Sequence, residues 1–193
     1  EKGIDAVLSM PFSGFELINL MQSMMAQAQA ERPEGRSRIY SVFAPKGGVG
    51  KTTIAFNLAV ALAQTGDTRT ALVDGSLQFG DMRSLLRVPA DAPSILDLPT
   101  DRISESDLSD VLWRDPSGID ILLAPPRVEM AEMVTVRDVE KVLSLLRRVY
   151  NLVIIDTPTT VTDMTLGFFD ACDAILLVVT SDYTSVRNTR MMN

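Results

Sequence analysis

Eight consecutive residues, Lys46-Gly47-Gly48-Val49-Gly50-Lys51-Thr52-Thr53, bring together two ammonium groups, three glycines and two hydroxyls. This combination suits a polyphosphate. Glycines let successive backbone N–H groups converge on one anion with no Cβ in the way. Lys51 supplies a point charge to the outer phosphates, and the Thr52 hydroxyl is placed to ligate Mg²⁺. The chain has only four lysines, Lys2, Lys46, Lys51 and Lys141, and two of them fall within this turn.

The flanking residues supply the elements such a turn needs. Ile39 to Phe43 is a short apolar run that reads as a strand, and Ile54 to Ala63 reads as a buried helix. Strand, glycine-rich turn and helix N-terminus together form a phosphate cradle. Two more apolar runs end in a carboxylate: Thr70 to Asp74, which continues Gly75-Ser76-Leu77-Gln78-Phe79-Gly80-Asp81, and Leu152 to Asp156, which continues Thr157-Pro158. Ligands of open α/β sheets bind at the carboxyl ends of strands, where Asp74 and Asp156 would stand. Ser104 to Trp113 reads as a short helix capped by Ser104 and Asp107, and Ile119 to Ala124 as a further strand. Val139, Val142, Leu143, Leu146 and Val149 line one helix face, and Ala174 to Val179 reads as a strand buried on both faces. This alternation predicts an α/β fold, a mostly parallel sheet with helices on both faces.

The glycine turn departs from the strict G-x-x-x-x-G-K-T pattern. Pro45 stands where the first glycine belongs, and Lys46 is an additional lysine. In both respects it resembles the deviant Walker A of the ParA/MinD family of P-loop ATPases. The resemblance implies that ATP and Mg²⁺ bind at residues 46–53, that ATP closes a homodimer through the nucleotide face, and that Lys46 acts in trans on the partner's nucleotide. It makes Lys46, Lys51 and Asp74 the catalytic set and Thr52, Asp74 and Asp156 the metal set. Asp156 would hold a water on Mg²⁺, and Asp74 would lie near the metal's shell. The family usually carries a second aspartate at the position of Ser76. A hydroxyl cannot accept a proton as a carboxylate does, so a slow ATPase or a nearly silent ATP-binding switch is expected. Asp81, seven residues on, is expected to start the next helix.

Composition narrows the field. The 193 residues, 46% hydrophobic, can build one full domain and a fragment. A net charge of −7 argues against nonspecific nucleic-acid binding. Arg147-Arg148, the one adjacent basic pair, reads as a solvated helix edge. A single cysteine, Cys172, excludes an internal disulfide and fits a reducing compartment. It also excludes nitrogenase-type iron proteins, which share the deviant P-loop but need two cluster cysteines per subunit. No apolar run approaches the ~18 residues of a membrane span.

Residues 1–30 read as a separate piece. Ser13-Gly14-Phe15-Glu16 is a capping box, with Phe12 and Leu17 placed as its staple. Leu17, Leu20, Met21, Met24, Met25 and Ala28 then recur on one helix face. With the short strand expected at residues 5–12, this resembles the last strand and helix of a receiver domain. Met10 stands where that family has the lysine of a Lys-Pro step, so the resemblance implies a pseudo-receiver. Residues 31–38 would be the linker and 39–193 the ATPase core, C-terminally incomplete and lacking the loop that grips adenine.

A narrower resemblance rests on residues 74–81, Ser94 to Leu98, Leu123 to Glu132 and Thr184 to Asn188. These are similar to the CpaE/TadZ branch. They imply a cytoplasmic, pole-localised factor whose partners are pilus (secretion) assembly proteins. A non-hydrolysing landmark scaffold and a ParA-type DNA partition ATPase are the alternatives. The acidic balance weighs against the second.

Overall fold

A computed structural model describes residues 5–9, 11–30, 37–65, 68–99 and 104–191, with backbone alone at 25–30. Met10 and residues 31–36, which carry the receiver-like substitution and most of the expected linker, lie outside the described residues, as do the side chains of Met25 and Ala28. The chain divides into two units, 1–36 and 37–193.

In the first unit, helix α1 spans Gly14–Ala30. Its capping box forms as the sequence predicts: the Ser13 amide donates to Glu16 Oε2 at 2.6 Å, and the Glu16 amide donates to Ser13 Oγ at 3.2 Å. The expected strand does not appear at residues 5–9, which are irregular.

The second unit holds a six-stranded sheet. In chain order its elements are β1 (Arg38–Phe43), α2 (Lys51–Gln64), β2 (Thr70–Asp74), α3 (Met82–Leu85), α4 (Glu105–Val111), β3 (Leu112–Arg114), β4 (Asp120–Leu122), α5 (Val128–Ala131), α6 (Val136–Val149), β5 (Leu152–Asp156), α7 (Asp163–Ala171), β6 (Ala174–Leu177) and α8 (Tyr183–Arg190). The strand order is β3-β4-β2-β5-β1-β6. All pairs are parallel except β3–β4, which is antiparallel. β2 and β5 are buried at every residue, and β1 at all but its first, so the centre of the sheet is covered on both faces. The apolar face of α6 packs into this core through Val139, Val142, Leu143 and Leu146.

Two expectations need correction. The helix from Ser104 keeps its predicted cap pair but stops at Val111. Leu112, Trp113 and Arg114 turn into the antiparallel edge strand β3, because pairing with β4 gives their backbone groups partners. β6 is not buried on both faces. Among the described residues it pairs with β1 alone, and Ile175, Leu177 and Val179 are 40–45% exposed.

The consequence of this order is geometric. β2, β5 and β1 are neighbours, and Asp74 and Asp156 are register partners across β2 and β5. Val42, next to the last residue of β1, pairs with Asp156. The glycine turn and both carboxylates therefore share one end of the sheet.

Candidate functional site

β1 ends at Phe43 and the chain turns through residues 44–50 into α2. Gly48 (φ +75°) and Gly50 (φ +84°), the latter just before α2, are in left-handed conformations that side chains rarely adopt. A Cβ at Gly47, Gly48 or Gly50 would meet nothing within 4 Å, so the turn opens onto free space. Gly47 and Gly48 are exposed and Val49 is half-buried. Thr53 is exposed, and its carbonyl accepts a hydrogen bond from Asn57 Nδ2 at 2.8 Å.

Lys51 and Thr52, the first residues of α2, both reach back to β5. The buried Lys51 Nζ lies 2.6 Å from Asp156 Oδ1, and Thr52 Oγ1 donates to Asp156 Oδ2 at 2.6 Å. Thr157, the next residue, donates through its amide and its Oγ1 to the Val42 carbonyl, at 3.2 and 2.8 Å. This fixes the chain beyond Asp156 against β1.

Asp74 is in a different state. It is buried, its Oδ1 accepts the Ser76 amide at 3.2 Å, and its Oδ2 has no hydrogen-bond partner. Burial raises its pKa to about 7, and the negative charge of Asp156 adds to the shift. The Ser76 amide and Lys51 oppose it. Gly80 admits the carboxylate, since a Cβ there would stand 2.5 Å from Asp74 Oδ2.

The donor set fits Mg²⁺ with a polyphosphate. Asp74, Asp156 and Thr52 offer hard oxygen ligands, and the unpartnered Asp74 oxygen is one that a cation would satisfy. Among the described residues no cluster of three or more His, Cys, Asp or Glu side chains suits a metal. The described residues therefore build no protein-only cage. Two carboxylates and a hydroxyl match an ion that keeps waters and draws further ligands from phosphates. Lys51 carries the charge a phosphate would accept.

The predicted residues thus assemble: 47–52, Asp74 and Asp156 share one end of the sheet, with Ser76 beside Asp74. Lys46 stands somewhat apart, 40% exposed, with its Nζ 2.9 Å from Asp182 Oδ2. Sequence reasoning missed Asp182, the residue that caps α8; it placed Asn188 in a motif but not its contact, in which Nδ2 donates to the Pro45 carbonyl at 3.3 Å. The Asp-x-x-Ser spacing of an N-cap was the available signal for Asp182; its contact with Lys46 left none. Arg83 was missed as well. It gathers the carbonyls of Ala124, Ala92 and Pro93 at 2.9–3.1 Å and so anchors α3 behind the Asp74 loop. Asp81 stands at the N-cap of α3, as expected. Arg147 is a correction: it is no solvated edge. Its guanidinium donates to Asp173 Oδ2 and to the Ser37 and Ala171 carbonyls at 2.6–3.1 Å, tying the start of β1 to the α7–β6 turn.

Comparison with known proteins agrees with this geometry. A family model described as an AAA domain matches residues 37–192. A provisionally named septum site-determining protein MinD of Oltmannsiellopsis viridis is 32% identical over 171 residues, covering 82% of this chain and 51% of that protein. The fold is similar to a ParA family ATPase from Chlorobium tepidum (TM-score 0.74, 24% identity, 80% of this chain and 65% of that one). It is also similar to the septum site-determining protein MinD of Pyrococcus horikoshii, solved with Mg-ADP (TM-score 0.69, 24% identity, 81% and 64%). At that identity the two structures speak to fold alone. The chain spans about half the length of the curated relatives it matches. Matched along nearly all of its second unit, the chain belongs to the AAA-domain family, and the relatives and folds it resembles are those of ParA/MinD proteins.

Proposed function

We propose that this chain is an ATP- and Mg²⁺-dependent dimerising switch with slow turnover, which positions a pilus-type secretion assembly. One observation carries the nucleotide part. Lys51 and Thr52, from the glycine turn, meet the Asp156 carboxylate at 2.6 Å beside the unpartnered oxygen of Asp74. Bound Mg²⁺–ATP would supply the phosphoryl group and the metal charge that screens it. The protein's part is to bind, orient and wait. Lys51 holds a buried positive charge that a phosphate can take over from Asp156. Thr52 and Asp156, no longer committed to each other, would offer oxygens to the metal or to a water on it, and Asp74, without its proton, would offer another. Lys46, by the deviant Walker A pattern, serves the partner subunit across the nucleotide face.

Ser76 sets the rate. Its amide is committed to Asp74, and its hydroxyl can orient a water without accepting that water's proton. This same observation favours a second reading, a non-hydrolysing scaffold locked by nucleotide. The target of positioning rests on the branch motifs at 74–81, 94–98, 123–132 and 184–188. In support, two of them follow the carboxyl ends of β2 and β4, and 184–188 lies in α8, whose Asn188 holds Pro45 of the turn. Localisation to a cell pole belongs to this finer reading.

Calorimetry of the full-length protein tests the core claim. ATP uptake should require Mg²⁺ and disappear in Lys51→Ala; uptake that ignores both would overturn it. Phosphate release should rise in Ser76→Asp, by about 100-fold or more if the new carboxylate acts as a positioned general base. No gain would move the reading to the scaffold.

A further inference from the structure

We infer that the cleft between α4, α5 and residues 90–97 is a docking site for a cationic segment of a partner protein, one that carries arginine or lysine beside an apolar side chain. The inference deepens the reading of this chain as a positioning protein. It rests on the partner half of that reading, and it names the surface the partner takes.

The cleft has a volume of about 470 Å³ and shares no residue with the nucleotide site. Asp91, Asp97 and Asp110 line it together with Leu96, Val111 and Met130, and no lysine or arginine is among its lining residues. Two of the segments that carry the chain's narrower resemblance, 94–98 and 123–132, meet here. The first supplies Leu96 and Asp97, the second Met130. Neither contributes a side chain to the nucleotide site.

The charge of the cleft is uncompensated. Its three aspartates are exposed, and among the described residues no ion pair reaches any of them. Asp97 spends Oδ2 on its cap, accepting the Ser94 amide at 2.7 Å. Asp110 stands in the last turn of α4, where the helix dipole favours a cation, so helix stability does not explain an acid there. The excess extends past the cleft. Residues 88–132 hold ten of the chain's 25 acidic residues and three of its 18 basic ones, so the net charge of −7 lies entirely in this stretch. The rest of the chain balances. A field so concentrated complements a polycation.

The lining narrows the choice further. Nucleic acid and anionic membrane are repelled, and a hydrated polyamine gains nothing from Leu96, Val111 and Met130. A peptide segment with charged heads and apolar stems uses both kinds of surface. α5 continues the mixture outward, with Glu129 and Val128 both exposed. The cleft wall is also preformed. Arg83 holds the Ala92 and Pro93 carbonyls at 2.9 and 3.0 Å, and the Ile95 amide donates to the Leu123 carbonyl at 3.0 Å. Binding to a wall so held loses little to ordering.

The test uses the full-length protein and a fluorescently labelled peptide in which arginines alternate with leucines. Anisotropy titration should show binding that weakens about two- to twenty-fivefold in the double variant Asp91→Asn/Asp110→Asn, since each exposed ion pair contributes about 1.4- to 5-fold. Thermal melts and Mg²⁺-dependent ATP uptake of the variant should match wild type, both side chains being exposed. Ala90→Trp, which fills the cleft from its exposed rim and changes no charge, should weaken binding as well. Raising salt from about 0.1 to 0.5 M should cost wild type more affinity than the double variant. A peptide with citrulline in place of arginine should bind the two proteins alike.

Undiminished binding in the double variant overturns the proposal. So does a loss there without one in Ala90→Trp, which would assign the attraction to the acidic surface at large. If spermidine binds as tightly as the peptide, the occupant is a small polycation and the proposal fails. If nucleotide-free wild type self-associates in light scattering and the double variant does not, the occupant is a second copy, and it fails again. ATP uptake separates the two readings. Absent uptake with both peptide losses intact would sink the nucleotide reading and support the docking site. Normal uptake with a peptide that ignores both variants would sink the docking site alone.

Discussion

Asp74 and Asp156 are the same residue at the same level of neighbouring strands, facing each other in register, and both are buried. Their situations are opposite. Both oxygens of Asp156 accept short bonds, one from a buried ammonium and one from a hydroxyl. Asp74 accepts one amide at 3.2 Å and leaves an oxygen bare. With its charge spent on Asp156, Lys51 stabilises the second carboxylate too weakly to offset burial and the neighbouring anion, and the pKa of Asp74 rises to about 7. One lysine between two buried carboxylates settles one of them and leaves the other poised. Asp156 holds the ligand-free site together; Asp74 is the group whose state a metal ion would change.

The comparison breaks most visibly if the settled member is removed. Asp156→Ala leaves the Lys51 ammonium buried without its partner, which should cost about 3–5 kcal/mol in urea unfolding. Adding Lys51→Met should recover most of that loss, because the stranded charge is then gone. A loss under about 1 kcal/mol would mean that Lys51 finds another anion, and the contrast between the two carboxylates would dissolve.

The poised member makes the opposite prediction. Between the ordinary carboxylate range and about pH 7, native Asp74 holds a proton that the unfolded chain has shed. The native state therefore binds more protons there. This group's contribution is full below about pH 4, falls as pH rises through 7, and is gone above it. Asp74→Asn removes the dependence. It should be as stable as wild type at low pH and more stable at pH 8, by at most about 4 kcal/mol for a shift of this size. Mg²⁺-dependent nucleotide binding should release a proton below pH 7 in wild type and lose its metal dependence in the variant. Parallel stability profiles of the two proteins from pH 4 to 8 would refute the poised state.

What the sequence disclosed, and what it hid, divides along similar lines. Strand, glycine turn and helix were legible because apolar runs, glycines and Gly-Lys-Thr are local. Asp74 and Asp156 were legible because each ends such a run. That one is saturated and the other bare was not, since it depends on which side chain Lys51 reaches across the sheet. β3 was hidden because Leu112 to Arg114 continue a capped helix in pattern and become a strand only by pairing with β4. The exposure of Ile175 and Leu177 in β6 was hidden for a related reason: an apolar run does not reveal what will cover it. Arg147 and Asp182 carry ordinary local signatures, a helix edge and a helix cap, and acquire their roles through residues distant in the chain.

A finer probe of the comparison lies in the glycines beside the carboxylates. A Cβ at Gly75 would approach the Asp156 main-chain carbonyl at 2.9 Å, whereas one at Gly80 would meet the Asp74 side chain itself at 2.5 Å. Gly80→Ala must therefore displace either the bare carboxylate or the loop that covers it. The Ser76 carbonyl, 2.9 Å from the same point, closes one way out. An overpacked contact of this kind should cost about 1–3 kcal/mol. The informative measurement is a cycle with Asp74→Ala. If the carboxylate is what the glycine accommodates, Gly80→Ala should cost at least about 1 kcal/mol less once the side chain is gone. An equal cost in both backgrounds would place the conflict at the Ser76 carbonyl, and Gly80 would then serve the turn and not the carboxylate.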